Sequence, residues 1–261
     1  MTQDALRHGS APANSTQGAP SPYLAPFSRP GVAIGLGLAT LALLVIFNRF
    51  PQLDLAVASW FFTEQPCPED DPGPVCGSFT AMNNTTLMLI REVLHYLPVS
   101  LAIPLLIAAI PAGLSSVRRY RLFARGAMTA VAAILISPLL IVNGLLKEFS
   151  GRPRPVHTDV FGGDWPFVEA GRFTDYCSSN CSFVSGEAST GFWLICLVPL
   201  FPARFRPLAW VVALSLAVTT SGLRIAFGGH YLSDVLLGAA ITIFVFSALA
   251  ALARWRRWYE V

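Results

Sequence analysis

The chain has 261 residues, of which 54% are hydrophobic and only 13% charged. A soluble domain usually carries about 25% charged residues, so an ordinary water-soluble globule is excluded. The net charge of +3 gives no basic face for nucleic acid. Residues 1–28, rich in Ala, Ser, Pro and Gln, predict a disordered tail. Six apolar stretches follow, at 32–47, 97–114, 127–146, 183–201, 208–227 and 232–253. Each approaches the ~20 residues that cross a bilayer as a helix. The first could be a signal-peptide core, but no small-x-small cleavage site follows it. The expectation is an all-α polytopic membrane protein with six transmembrane helices. Its membrane domain spans 29–257 and a short tail covers 258–261.

Charge sets the orientation. Arg7 and Arg29 precede the first stretch, and Arg118, Arg119, Arg121 and Arg125 lie between the second and third. Arg204 and Arg206 separate the fourth and fifth, and Arg254, Arg256 and Arg257 follow the sixth. With six spans, these eleven of the eighteen basic residues share one side. Most acids (Glu64, Glu69, Asp70, Asp71, Asp159, Asp164, Glu169, Asp175) fall on the other. The positive-inside rule then makes both termini cytoplasmic. Cys67, Cys76, Cys177 and Cys181 lie on the outer side, and Cys196 lies within the fourth stretch. That usage suits two outer disulfides, Cys67 with Cys76 and Cys177 with Cys181. A zinc site on Cys177, Cys181 and His157 and free thiols are the alternatives.

Three polar segments fall on that same outer side. The first, Lys147-Glu148-Phe149-Ser150-Gly151-Arg152-Pro153-Arg154-Pro155, holds the only lysine of the chain and two arginines. Arg forks and a Lys point charge are the usual means of holding phosphate. A snorkelling cluster would explain them too, but it would stand against the positive-inside rule. Pro153 and Pro155 end the third span near Gly151. In the second segment Ser185 is a helix N-cap, Gly186 leaves backbone N–H groups open to an anion, and Glu187 sits in the first turn. A good helix start explains these three equally well. In the third, Gly228-Gly229 breaks the chain after Arg224, and His230 and Asp234 stand at i and i+4. A carboxylate so placed can orient an imidazole and stabilise its cation. Four cations nearby disfavour a metal ion, and no cofactor is expected.

These segments resemble the type-2 phosphatidic acid phosphatase superfamily. Its pattern is Lys-(six residues)-Arg-Pro, then Pro-Ser-Gly-His, then Ser-Arg-(five residues)-His-(three residues)-Asp. Lys147, Arg154 and Pro155 match the first part, Ser185 and Gly186 the second, and Arg224, His230 and Asp234 the third. The resemblance implies a metal-independent hydrolase of lipid phosphates. His230 would attack phosphorus and form a phosphohistidine, and Asp234 would orient it. Lys147, Arg154, Arg224 and the Ser185–Gly186 backbone would hold the phosphoryl oxygens. Arg152 is an added cation behind them, suggested by its charge and position.

The chain departs from the pattern where Val184 replaces Pro, Leu223 replaces Ser and Glu187 replaces the His that protonates the leaving group. Glu187 as that acid, His157 as a substitute, or a leaving group needing no acid are three ways to fill the role. Cys181-Ser182-Phe183-Val184-Ser185-Gly186-Glu187 looks like bacterial members of the lipid A 4′-phosphatase type. That implies a phosphorylated lipid on the periplasmic side of a bacterial inner membrane, with lipid A, undecaprenyl diphosphate and phosphatidylglycerophosphate as candidates. A phosphotransferase using the same phosphohistidine and a non-catalytic phospholipid binder or transporter are the competing functions.

Overall fold

The computed structural model describes residues 23–69 and 75–260. Five helices are long and apolar enough to cross a membrane: α1 (Pro30–Arg49), α3 (Thr85–Leu114), α4 (Arg118–Phe149), α6 (Ala203–Ala226) and α7 (Leu232–Trp255). Between the first two of these lies the short α2 (Gln52–Ser59). The stretch expected at 183–201 is the shorter helix α5 (Gly186–Leu200). Phe183 and Val184 stay in the preceding loop, because the helix begins only where Ser185 caps it by accepting the Ala188 N–H at 3.3 Å. The helical expectation is met except for one antiparallel pair, β1 (Phe62–Glu64) with β2 (Gly77–Phe79).

Helix α5 is central and packs against α3, α4, α6 and α7. Small residues allow the approach. A Cβ at Gly191 would meet the Ala217 backbone at 3.4 Å, and one at Gly238 would stand 2.6 Å from the Ser185 carbonyl. Such contacts hold helices together in lipid, where no hydrophobic drive between them exists. Trp193, fully buried on α5, donates its indole N–H to the Ala130 carbonyl at 2.7 Å. Outward faces of α1, α3 and α6 remain apolar and exposed, as at Leu38, Ile107 and Val211.

Helix α4 is not uniform. Over Leu135–Leu146 it widens to π winding around Pro138, whose carbonyl accepts the Asn143 side-chain amide at 2.6 Å. Proline removes one ladder donor and crowds the preceding turn, and wide turns of this kind recur at functional sites.

Of the tail expected over 1–28, residues 1–22 lie outside the described residues. Tyr23–Ser28 form a turn whose Leu24 and Phe27 are buried in the core, so this part is packed rather than loose. At the other end Tyr259 is buried, with its hydroxyl 2.9 Å from Thr129 Oγ1. Both cysteine pairs form disulfides, Cys67 with Cys76 and Cys177 with Cys181, and Cys196 is free and buried. The bond between Cys177 and Cys181 removes the zinc alternative.

Candidate active site

Four chain breaks meet at one end of the bundle: the end of α4, the start of α5, the end of α6 and the start of α7. Helix α4 stops at Phe149, and Gly151 takes φ +65. A Cβ there would clash with the Thr174 carbonyl carbon at 2.3 Å, so only glycine fits the turn. Beyond it the two arginines part. Arg152 is 0% exposed. Its Nε donates to the Val168 carbonyl at 2.8 Å, its Nη1 to Ser233 Oγ at 2.8 Å and Asp234 Oδ1 at 2.7 Å, and its Nη2 to Asp54 Oδ2 at 2.8 Å. Its guanidinium lies 4.4 Å from the centre of the Tyr231 ring. Burial opposes its charge, but the Asp234 and Asp54 carboxylates outweigh that and hold it a cation. Arg152 therefore does not face the site's cavity, because its donors are spent on buried protein acceptors. Its expected place among the substrate-binding cations is corrected to a structural one.

Arg154 turns the other way. Its Nη2 donates to the Asn180 carbonyl at 2.9 Å, and Lys147 Nζ reaches Asn180 Oδ1 at 3.3 Å. Burial and the Arg91 charge both disfavour its charged form, against the pull of Glu187. The Cys177–Cys181 disulfide closes the small loop that presents Asn180.

His230 lies in the loop before α7 rather than on the helix, and is 1% exposed. Its Nδ1 is 2.8 Å from the Ser182 carbonyl and 3.7 Å from Asp234 Oδ2. The main-chain carbonyl is thus the nearer acceptor. It fixes the proton on Nδ1 and leaves Nε2 with a lone pair. Asp234 acts on the same loop by another route. Its Oδ2 accepts the Ser182 hydroxyl at 2.5 Å and the Tyr231 N–H at 2.9 Å. Burial pushes His230 down to about 4, the Asp234 carboxylate opposing and the Arg224 charge adding to the effect, so the imidazole is neutral near pH 7.

A cavity of about 710 Å³ opens in front of these loops. Lys147, Arg154, Arg224, Gly186 and Glu187 line it, as do Arg91 and His95 of α3. Ile103, Leu106, Ile134 and Leu139 form its apolar part. Ser185 is fully buried, with its N–H spent on the Asp234 carbonyl at 3.0 Å and its hydroxyl on the helix cap. It shapes the helix start; Gly186 is the member of that pair that reaches the cavity. His157 is exposed in its loop and is not among the residues that line the cavity.

Glu187 has partners the sequence did not suggest. Arg91 grips it with two donors, Nε to Oε2 at 3.1 Å and Nη2 to Oε1. The Nε of Arg224 lies 3.5 Å from Oε1 and makes no hydrogen bond within the described residues. A fork of this kind favours the carboxylate, which argues against Glu187 as the proton donor. Arg91, His95, Asp54 and Ser182 are the residues that sequence reasoning missed.

Bundle and site define a multi-pass helical membrane protein with a cavity lined by Lys147, Arg154 and Arg224, and with His230 buried rather than among the lining residues. Residues 126–258 match the PAP2 superfamily, and the chain belongs to that family. Lipid A 4′-phosphatase of Rhizobium etli is 40% identical over 215 residues, covering 81% of this chain and 83% of that protein. Lipid A 4′-phosphatase of Rhizobium leguminosarum is 38% identical over 218 residues, with 81% and 91% covered. The crystal structure of a transmembrane PAP2-type phosphatidylglycerolphosphate phosphatase from Bacillus subtilis shares the fold. Its TM-score is 0.55 at 18% identity, covering 85% of this chain and 96% of that one.

Proposed function

We propose that this chain removes phosphate from a membrane lipid through a phosphohistidine on His230. As a member of its family it is a lipid phosphate hydrolase. The observation that carries the mechanism is the cavity itself. Lys147, Arg154 and Arg224 gather at one end, and aliphatic side chains of α3 and α4 line the other. That pairs cations for a phosphate with an apolar bed for a lipid chain.

The neutral Nε2 of His230 attacks phosphorus in line, forming the P–N bond as the P–O bond to the lipid breaks. The three cations take up the charge on the equatorial oxygens. Water then attacks phosphorus, the P–N bond breaks, and phosphate leaves. Asp234 and Ser182 keep the imidazole aimed. Both nearby carboxylates are committed to arginines, Asp234 to Arg152 and Glu187 to Arg91. This supports a site that uses protein cations in place of a metal ion.

The substrate we favour is lipid A, on the strength of the two rhizobial relatives. Six crossings, both termini in the cytoplasm and a periplasmic site in a bacterial inner membrane complete the reading. Both disulfides on the site's end and the arginine-rich loops on the other support that orientation. The test is phosphate release by purified protein in detergent with chelator, on lipid A, undecaprenyl diphosphate and phosphatidylglycerophosphate. Chelator-resistant release from lipid A is expected. Binding without turnover on all three would turn the reading to a lipid-binding protein.

A further inference from the structure

Glu187 stands where the family pattern has its proton-donating histidine, and Arg91 and Arg224 hold it as an anion. A lipid alkoxide still needs a proton as it leaves. The imidazole that lines the cavity comes from another helix. His95, one turn beyond Arg91 on α3, lines the same cavity and has a side chain 43% exposed. Its Nδ1 lies 3.8 Å from Glu187 Oε1. That distance is ion-pair range rather than a hydrogen bond, and it turns the other ring nitrogen away from the carboxylate. Tyr96 packs its ring edge-on against the imidazole at 4.9 Å between centroids. The charged groups around it are Arg91 and Glu92 on its own helix, Glu187 on α5, Arg224 on α6, Lys147 at the end of α4 and Arg154 in the loop beyond.

We propose that His95 is the acid–base catalyst of this site, and that the Arg91–Glu187 pair positions it. The proposal rests on the phosphohistidine reading. As His230 Nε2 bonds to phosphorus and the P–O bond breaks, protonated His95 gives its Nε2 proton to the leaving lipid oxygen. In the second half, neutral His95 takes a proton from the attacking water as the P–N bond breaks. This returns both histidines to their starting states, and the products are the lipid alcohol and phosphate. Glu187, gripped by Arg91, plays toward His95 the part a triad carboxylate plays toward its imidazole. The family's general acid is in this reading split in two. The carboxylate keeps the motif position, and the imidazole is supplied by α3.

The experiment compares His95→Gln with wild type on lipid A, whose leaving alcohol needs a proton, and on p-nitrophenyl phosphate, whose leaving phenolate does not. Loss of a general acid costs about 10²–10⁴-fold. That loss is expected in kcat/KM on lipid A, which reports the step that expels the lipid alcohol, with a far smaller loss in kcat/KM on the aryl ester. Breakdown of the phosphoenzyme, which is common to both, should slow on either substrate. Glu187→Gln should give the same pattern to a lesser degree. In His95→Ala, added imidazole should restore part of the release from lipid A. Equal losses in kcat/KM on both esters together with no rescue by imidazole would overturn the proposal, as would wild-type rates in His95→Gln. Release that survives His230→Ala would instead defeat the phosphohistidine reading, so the two failures are distinct.

Discussion

The wall behind His230 and the mouth in front of it are both built around arginine, with opposite results. Arg152, Asp54 and Asp234 form a buried ion cluster in which every carboxylate meets a guanidinium or a hydroxyl. Lys147, Arg154, Arg224 and Arg91 surround the cavity with Glu187 as their main anion. In the wall two carboxylates answer a single guanidinium, so no positive charge is left over, and the cluster fixes geometry. The mouth carries surplus positive charge, and it can hold an anion. Cation count in a motif therefore does not measure phosphate binding; what matters is whether a carboxylate already answers the charge.

The comparison can be broken at several points. His230→Ala should give the largest effect, a fall in turnover of more than about 10⁴-fold of the kind seen when a nucleophile is removed. Its size-exclusion profile and thermal unfolding should stay near those of wild type. Arg152→Leu should cost about 3–5 kcal/mol of stability, because it strands two buried carboxylates. A detergent thermal melt would read this as a large fall in Tm, and an unchanged Tm would refute the structural role. Arg154→Gln should do the reverse, with kcat/KM lower by about 10²–10³-fold, the cost of one preorganised charge donor, and Tm unmoved. Cys177→Ser with Cys181→Ser should be milder still, loosening Asn180 and raising KM more than it lowers kcat.

The pH dependence has a definite sign. Because His230 is held down at about 4 in the folded protein, the nucleophile stays neutral above that value. The acid limb of kcat/KM that it controls should fall only as pH approaches about 4. Stability behaves differently. In the unfolded chain a histidine takes its proton near ~6.5. The contribution of His230 is therefore complete above that pH and is lost as pH falls from there toward about 4. A wild-type acid limb of kcat/KM centred near ~6.5 would contradict this burial account.

Much of the mouth was legible in the sequence, because Lys147, Arg154, Gly186 and Arg224, which line the cavity, keep the spacings of the family's three motifs. The wall was not. Asp54 meets Arg152 across 98 positions, with no local pattern to mark it. Arg91 and His95 escape the sequence reading for another reason: the apolar stretch begins at 97, whereas α3 begins at Thr85 and carries its charges in the first turns. Arg152 was expected behind the phosphate-holding cations and does lie out of the cavity, but its commitment to Asp54 and Asp234 could not be read from spacing in an irregular, proline-bounded segment. Asp234 was expected as the direct partner of His230 from the i, i+4 rule. The helix starts after His230, so the rule does not apply, and the Ser182 carbonyl takes the place at Nδ1.

The central claim is a covalent phosphoryl group on His230. The most direct test is to mix wild-type protein with phosphorus-labelled lipid A, quench in base within one turnover, and map the label by mass spectrometry. The account predicts an acid-labile, base-stable phosphate on His230 Nε2 that disappears in His230→Ala. Label on another residue, or full turnover with no phosphoprotein at any time, would contradict it.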